Sequence, residues 1–254
     1  LKGAGAKHLG ASGSAPSPHI PARSVSSAIF WDFDGTVYRA PSACRFYAEQ
    51  ISLSLAPSER AAYLDRVERY LEGKGGLDAA DGWEAAVKAA EGQDDPARRP
   101  EAFRKARAYL ESGQCPIEVP AGLRATVELL RPTSRQLLLS NTPAYGVLGL
   151  LGRLGVADLF DEVVCEAAKP AALPARLAAA QAIFGLPASA LLSIGDHFAN
   201  DIAPALGAGA ATAYVNAFGA GPAGAATFEA PALEGLLGSV RDWALALAAP
   251  QSSA

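Results

Sequence analysis

The sequence predicts an α/β fold, a Rossmann-like doubly wound parallel sheet of about five strands with an inserted α-helical cap domain. Three observations carry this. From Ile117 to Val215, apolar runs of strand length alternate with helical patterns, the signature of parallel strands joined by right-handed crossovers. Two apolar runs end in aspartate, and the carboxyl ends of strands are where open α/β sheets keep their sites. Roughly eighty residues separate the first strand from the next alternating element, far more than the ~4–6 of an ordinary connection.

The elements follow in order. Residues 1–27 are rich in Gly, Ala, Ser and Pro, carry scattered Lys7, His8, His19 and Arg23, and lack an apolar segment, so they read as a flexible tail and not as a secretory signal. Residues 28–33 form the first and central strand of a discontinuous core, 28–40 and 116–247. Helical patterns at 42–55, 59–71, 83–91 and 96–111 make up the cap, residues 41–115. Pro57-Ser58 and Asp94-Asp95-Pro96 are helix start signals. Ala62, Leu64, Val67, Tyr70 and Leu71 trace a stripe that requires burial. Gly35 and Gln114-Cys115-Pro116 are the expected hinges. Gly73-Lys74-Gly75-Gly76 lacks the spacing and trailing Lys-Ser/Thr of a nucleotide-binding loop and reads as a helix–helix turn.

Beyond the cap, a helix is expected at 121–130, a strand ending at Ser140, a helix at 144–154 and a strand near Val163. A helix at 174–184, a strand ending at Ile194, a helix from about Asn200, a strand at 212–215 and a closing helix at 233–247 complete the core. Residues 248–254 are a C-terminal tail.

Composition narrows the function. A net charge of −4 over 254 residues gives no broad attraction to nucleic-acid phosphates or anionic lipid, and no run of eighteen apolar residues exists to span a bilayer. Cys44, Cys115 and Cys165 are widely spaced and form no Cys-x-x-Cys pair, which argues for a reducing, cytoplasmic setting and against a disulfide framework or structural zinc. Cys165 ends an apolar strand and is expected in the core.

Four clusters carry chemistry. Asp32-Phe33-Asp34-Gly35-Thr36 follows Ala28-Ile29-Phe30-Trp31, placing two carboxylates where Gly-Thr breaks the strand. Leu137-Leu138-Leu139-Ser140-Asn141-Thr142 ends in a hydroxyl and an amide at a strand-to-helix turn, which suits a phosphate oxygen. Lys169-Pro170 offers one cation, which taken alone is an ordinary loop charge. Leu191-Leu192-Ser193-Ile194-Gly195-Asp196 ends in an acid, with Asp201 following in the next helical turn.

In type, order and context these clusters resemble the four motifs of the haloacid dehalogenase-like hydrolases, over about Ala28 to Val215. The resemblance implies that Asp32 is the nucleophile, Asp34 the general acid/base, Ser140 a phosphate ligand and Lys169 the cation between phosphate and nucleophile. Gly35, Thr36, Asn141, Ser140 and Lys169 would bind substrate. Asp32, Asp34 through its carbonyl, Asp196 and Asp201 would hold Mg²⁺.

Asp34 favours a phosphatase over a dehalogenase, because a leaving alkoxide needs a proton and a halide does not. The expectation is therefore a Mg²⁺-dependent phosphatase that hydrolyses a small phosphorylated metabolite through an aspartyl-phosphate, with neither nucleic acid nor membrane as partner. A phosphomutase or other phosphotransferase would use the same residues, and a silent phosphate-binding module would keep the fold. Tyr38 and Arg39, where the chain leaves the core, are candidates to border the substrate. His197 is expected to face solvent.

Overall fold

The computed structural model describes residues 24–222 and 224–249. The tail expected at 1–27 lies mostly outside them, as do residues 250–254. In chain order the elements are β1 (Ser27–Trp31), α1 (Pro41–Ser52), α2 (Pro57–Leu71), α3 (Gly82–Ala89), α4 (Arg99–Glu111) and α5 (Leu123–Leu130). Then come β2 (Ser134–Leu139), α6 (Leu148–Leu154), β3 (Glu162–Val164), α7 (Leu173–Phe184), β4 (Leu191–Gly195), α8 (Ala203–Gly207), β5 (Ala211–Val215), β6 (Phe228–Ala230) and α9 (Leu237–Ala248).

The sheet is parallel throughout, in the order β3-β2-β1-β4-β5-β6. It has six strands where about five were expected. The extra one, β6, is three residues long and follows a Gly/Ala/Pro-rich stretch, too short to show any periodicity.

β1 is buried along its whole length because helices cover both faces. Ile29 and Trp31 pack with Leu123 and Val127 of α5, Leu150 of α6 and Val240 of α9. Ala28 and Phe30 pack on the other side with Leu173 and Leu177 of α7 and Ala205 of α8. Two buried side-chain bonds fix the register with β2: Ser27 Oγ to Ser134 Oγ at 2.6 Å, and Trp31 Nε1 donating to Gln136 Oε1 at 2.8 Å. Burying these polar groups unpaired would be costly, so each pair disfavours a slipped strand.

The helices α1–α4 form an insertion between β1 and α5 with an apolar centre of its own. Tyr47, Ala48 and Ile51 of α1 meet Tyr63 and Val67 of α2, Ala86 and Ala89 of α3, and Ala102 and Ala106 of α4. Proline opens α1 and α2, where its missing N–H costs nothing. Asp81 caps α3 by accepting from Glu84 N at 2.7 Å, while the Glu84 carboxylate accepts from Ala80 N at 2.6 Å. Lys74 pairs with Glu72 at 2.7 Å in an exposed bend after α2, as a helix–helix turn would have it.

Three expectations are corrected. The helix expected from Asn200 begins as a π-helical turn, Phe198–Ile202, before the short α8, a form that is frequent at functional sites. The closing helix starts at Leu237, after a 3₁₀ turn at Leu233–Gly235. Cys165, the residue after β3, is half-buried and packs against the core from its margin. All three cysteines are free.

Candidate active site

β1 and β4 are neighbours in register, Trp31 beside Ile194, so the residues that follow each strand emerge together at the carboxyl edge. The Asp32 N–H closes the last ladder bond to the Ile194 carbonyl at 2.8 Å. Carboxylate oxygens of Asp32, Asp196 and Asp201 all lie within 4.8 Å of one another. Glycines make this crowding feasible. A Cβ on Gly35, whose φ is +80°, would stand 1.9 Å from Asp196 Oδ2, and one on Gly195 would stand 2.4 Å from Asp201 Cγ. Alanine at either position would displace an acid.

Lys169 Nζ lies 2.7 Å from Asp32 Oδ1 and 2.5 Å from Asp201 Oδ1. The loop that delivers it is costly for the backbone: Glu166 and Ala168 have φ of 49° and 56°, in the left-handed region. Asn141 holds the loop there. Its amide donates to the Lys169 carbonyl and accepts from the Lys169 N–H, both at 2.8 Å, and Ala167 N bonds the Ser140 carbonyl at 2.9 Å.

Burial pushes the Asp32 carboxyl up to about 7 despite the lysine beside it, and burial with the Asp32 charge raises Asp196 well above the usual carboxylate range. For Lys169, burial works against the charge, but Asp201 and Asp32 outweigh it and hold the ammonium protonated. Three clustered acids face one buried cation. An all-oxygen donor set short of positive charge fits a hard divalent ion such as Mg²⁺.

Asp34 has a different environment. Tyr38 Oη and Arg107 Nη1 both donate to Oδ1, and Thr142 Oγ1 donates to Oδ2 at 2.9 Å. Burial alone would raise this carboxyl, yet Arg107 and the hydroxyl donors hold it below the usual range. Arg107 comes from α4 in the insertion and is 1% exposed. Sequence reasoning passed over it, since an arginine in a helix rich in charged residues looks like a solvated one. The one available hint was that it continues the buried Ala102–Ala106 side of α4.

A cavity of about 270 Å³ opens onto these groups. Its floor is Asp32, Asp34, Ser140, Lys169, Asp196 and Asp201, and the insertion contributes Asp81, Trp83 and Phe103. Ser140 Oγ accepts from Thr142 N at 3.1 Å. Asn141 lines the cavity with its amide already engaged on Lys169. Gly35 and Thr36 do not line it: Gly35 borders a smaller adjoining cavity, and the buried Thr36 hydroxyl donates to Asp32 Oδ2 at 3.4 Å. Tyr38 sits behind Asp34, and Arg39 pairs with Glu234 at 2.9 Å and Glu118 at 3.4 Å. His197 lines the cavity and accepts from Asn200 N through Nδ1 at 3.3 Å.

Residues 27–209 match the family model described as haloacid dehalogenase-like hydrolase. The chain belongs to this family. Solved structures share the hydrolase fold at low identity. A predicted phosphoglycolate phosphatase from Haemophilus somnus is 20% identical with a TM-score of 0.54, over 84% of this chain and 97% of that one. A HAD-hydrolase from Bacillus subtilis, YfnB, solved bound to magnesium, is 19% identical with a TM-score of 0.54, over 84% and 98%. A 2-haloacid dehalogenase from Pseudomonas syringae is 20% identical with a TM-score of 0.50, over 86% and 99%. No curated protein matches the sequence. Among the described residues of this hydrolase, no helix is long and apolar enough to cross a membrane.

Proposed function

We propose that this hydrolase is a Mg²⁺-dependent phosphatase acting on a small phosphate monoester through an aspartyl-phosphate on Asp32. The observation that carries the reading is the placement of two differently prepared carboxylates on one cavity. Asp32 lies beside Lys169, while Asp34, two residues on, is held by its own donors. A dehalogenase has no use for the second acid, because its leaving group departs as halide.

In this mechanism an Asp32 oxygen attacks phosphorus as the bond to the leaving oxygen breaks, and Asp34 supplies the proton that an alkoxide needs. A water oxygen then attacks the aspartyl-phosphate, its proton passes to the Asp34 carboxylate, and the bond from Asp32 to phosphorus breaks. Arg107 and the hydroxyl donors hold Asp34 ionised in this arrangement, the form from which the second half starts. Lys169 offsets the repulsion between carboxylate and phosphate, and the Ser140 hydroxyl binds a phosphate oxygen. Asp32, Asp196, Asp201 and the Asp34 carbonyl would hold Mg²⁺, which when bound neutralises charge on the phosphoryl oxygens.

We read residues 41–115 as a cap on a discontinuous core, with Asp81, Trp83 and Phe103 facing the leaving group. A cavity of about 270 Å³ falls just under the ~300–1,000 Å³ of drug-sized ligand sites, which supports a small phosphorylated metabolite. Purified protein assayed with Mg²⁺ against small sugar, hydroxy-acid and amino-acid phosphates, with 4-nitrophenyl phosphate and 2-chloropropionate as controls, tests the reading. Phosphate release is expected, and chloride release without phosphate release refutes it.

A further inference from the structure

We propose that Arg107 is a positioning residue that reaches from the helical insertion to fix the Asp34 carboxylate, making the second half of the reaction depend on α4 being seated against the sheet edge. This rests on the phosphatase reading above. The guanidinium bridges three places at once: Nη1 donates to Asp34 Oδ1 and to Tyr38 Oη, the latter at 3.1 Å, and Nη2 donates to the Gly146 carbonyl. Its carbon also lies 5.8 Å from the ring centres of both Trp83 and Phe103. One side chain thereby joins the catalytic loop, the loop after β2 and the cavity wall that the insertion provides.

Packing alone does not account for this arginine. Withdrawing a guanidinium from water costs more than burying an apolar side chain of like volume, and its Nε finds no partner among the described residues. What the charge gains is Asp34. The surroundings are shaped to admit it: a Cβ on Gly146 would stand 2.8 Å from Arg107 Nε and 2.8 Å from Thr142 Cγ2, so a larger residue there would collide with two of the groups around Asp34. Without Arg107, Asp34 is held only by two hydroxyls, Tyr38 and Thr142, and is freer to turn from the cavity.

The test separates the two halves of the reaction in the full-length protein with Mg²⁺ and 4-nitrophenyl phosphate. In the first half the aryl oxide leaves with its electron pair and needs no proton. In the second, water gives its proton to Asp34 as the bond from Asp32 to phosphorus breaks. Rapid mixing of Arg107→Met should therefore show a burst of about one nitrophenolate per site followed by turnover slowed about 10²-fold, the lower end of general-base effects. Arg107→Lys should recover about tenfold of that. Gly146→Ala, which keeps the guanidinium but crowds it, should show the same burst with turnover slowed about tenfold, and it carries the test if Arg107→Met does not fold by circular dichroism.

Folded variants that turn over within threefold of wild type, or that lose burst and steady state together, overturn the proposal. An inactive wild type overturns the phosphatase reading itself. An active wild type with unaltered variants overturns only the role of Arg107.

Discussion

The carboxyl edge of the sheet and the helical insertion are built on opposite terms. At the edge, four aspartates and Lys169 crowd one cavity on loops whose paths are set by strand ends and by Gly35 and Gly195. In the insertion, four helices bury tyrosines among alanines, and Asp81, Trp83 and Phe103 reach the cavity. The edge concentrates charge that burial makes costly, whereas the insertion supplies shape together with one buried countercharge, Arg107. On the reading proposed above, the reacting groups lie at the edge, and the insertion shapes the cavity and lends Arg107 to Asp34.

The sharpest way to break this division is at its reactive end. Asp32→Asn keeps the size of the side chain but removes the carboxylate proposed as nucleophile, and turnover of 4-nitrophenyl phosphate should fall by at least about 10³-fold, about 4 kcal/mol of barrier. Retention within tenfold would place the nucleophile elsewhere.

Removing the metal should abolish activity, and Mg²⁺ should restore it. With Asp32 pushed up to about 7 by burial, protons compete with the ion, so calorimetry should show Mg²⁺ binding strengthening as pH rises through about 7, with proton release. The sign for stability is opposite without metal. Folded Asp32 keeps its proton where the unfolded chain, at about 4, has lost it, so metal-free stability should decline from pH 4 towards 7. Thermal melts that rise over that window would contradict the burial argument.

On the insertion side the effects should shrink and change kind. Trp83→Ala opens the cavity wall and should alter the KM ratio between aryl and small alkyl phosphates by about tenfold, with less change in kcat. Equal loss of kcat on every substrate would move Trp83 to the reactive side. Ile51→Ala hollows the insertion's centre, where Ile51 is 2% exposed, and should cost about 2–5 kcal/mol of stability while leaving turnover per folded molecule nearly unchanged. A melting temperature unaltered by this change would mean that the insertion's core contributes little to the transition observed.

The two regions also differed in how far the sequence disclosed them. The parallel sheet was readable because strand-length apolar runs alternate with helices, and Asp32, Asp34, Ser140, Asp196 and Asp201 were readable because each follows such a run or its loop, whereas Lys169, an ordinary loop charge by itself, was singled out only by the family resemblance. β6 was not, being three residues long. Asn141 was expected to meet substrate, but its amide closes on the Lys169 peptide, a pairing across 28 residues that no local pattern encodes. Arg107 was invisible for the same reason at greater range, since its partner Asp34 lies 73 residues away. Helical periodicity reports which face is buried, not what that face is buried against.

The central position of β1 has a consequence for how the chain is made. A strand buried along its whole length is made before the other strands of its sheet, yet Ser27 pairs with Ser134, 107 residues later, and β4 comes later still. At ~5–20 residues per second, β1 waits about 5–20 s for its first neighbour. During that interval the insertion, whose helices contact one another locally, can assemble, while Ala28–Trp31 offers an unpaired apolar edge to other nascent chains. Slowing translation between residues 31 and 134 should therefore lower the soluble yield of the protein more than the same slowing after residue 195, by which point β1 has both neighbours.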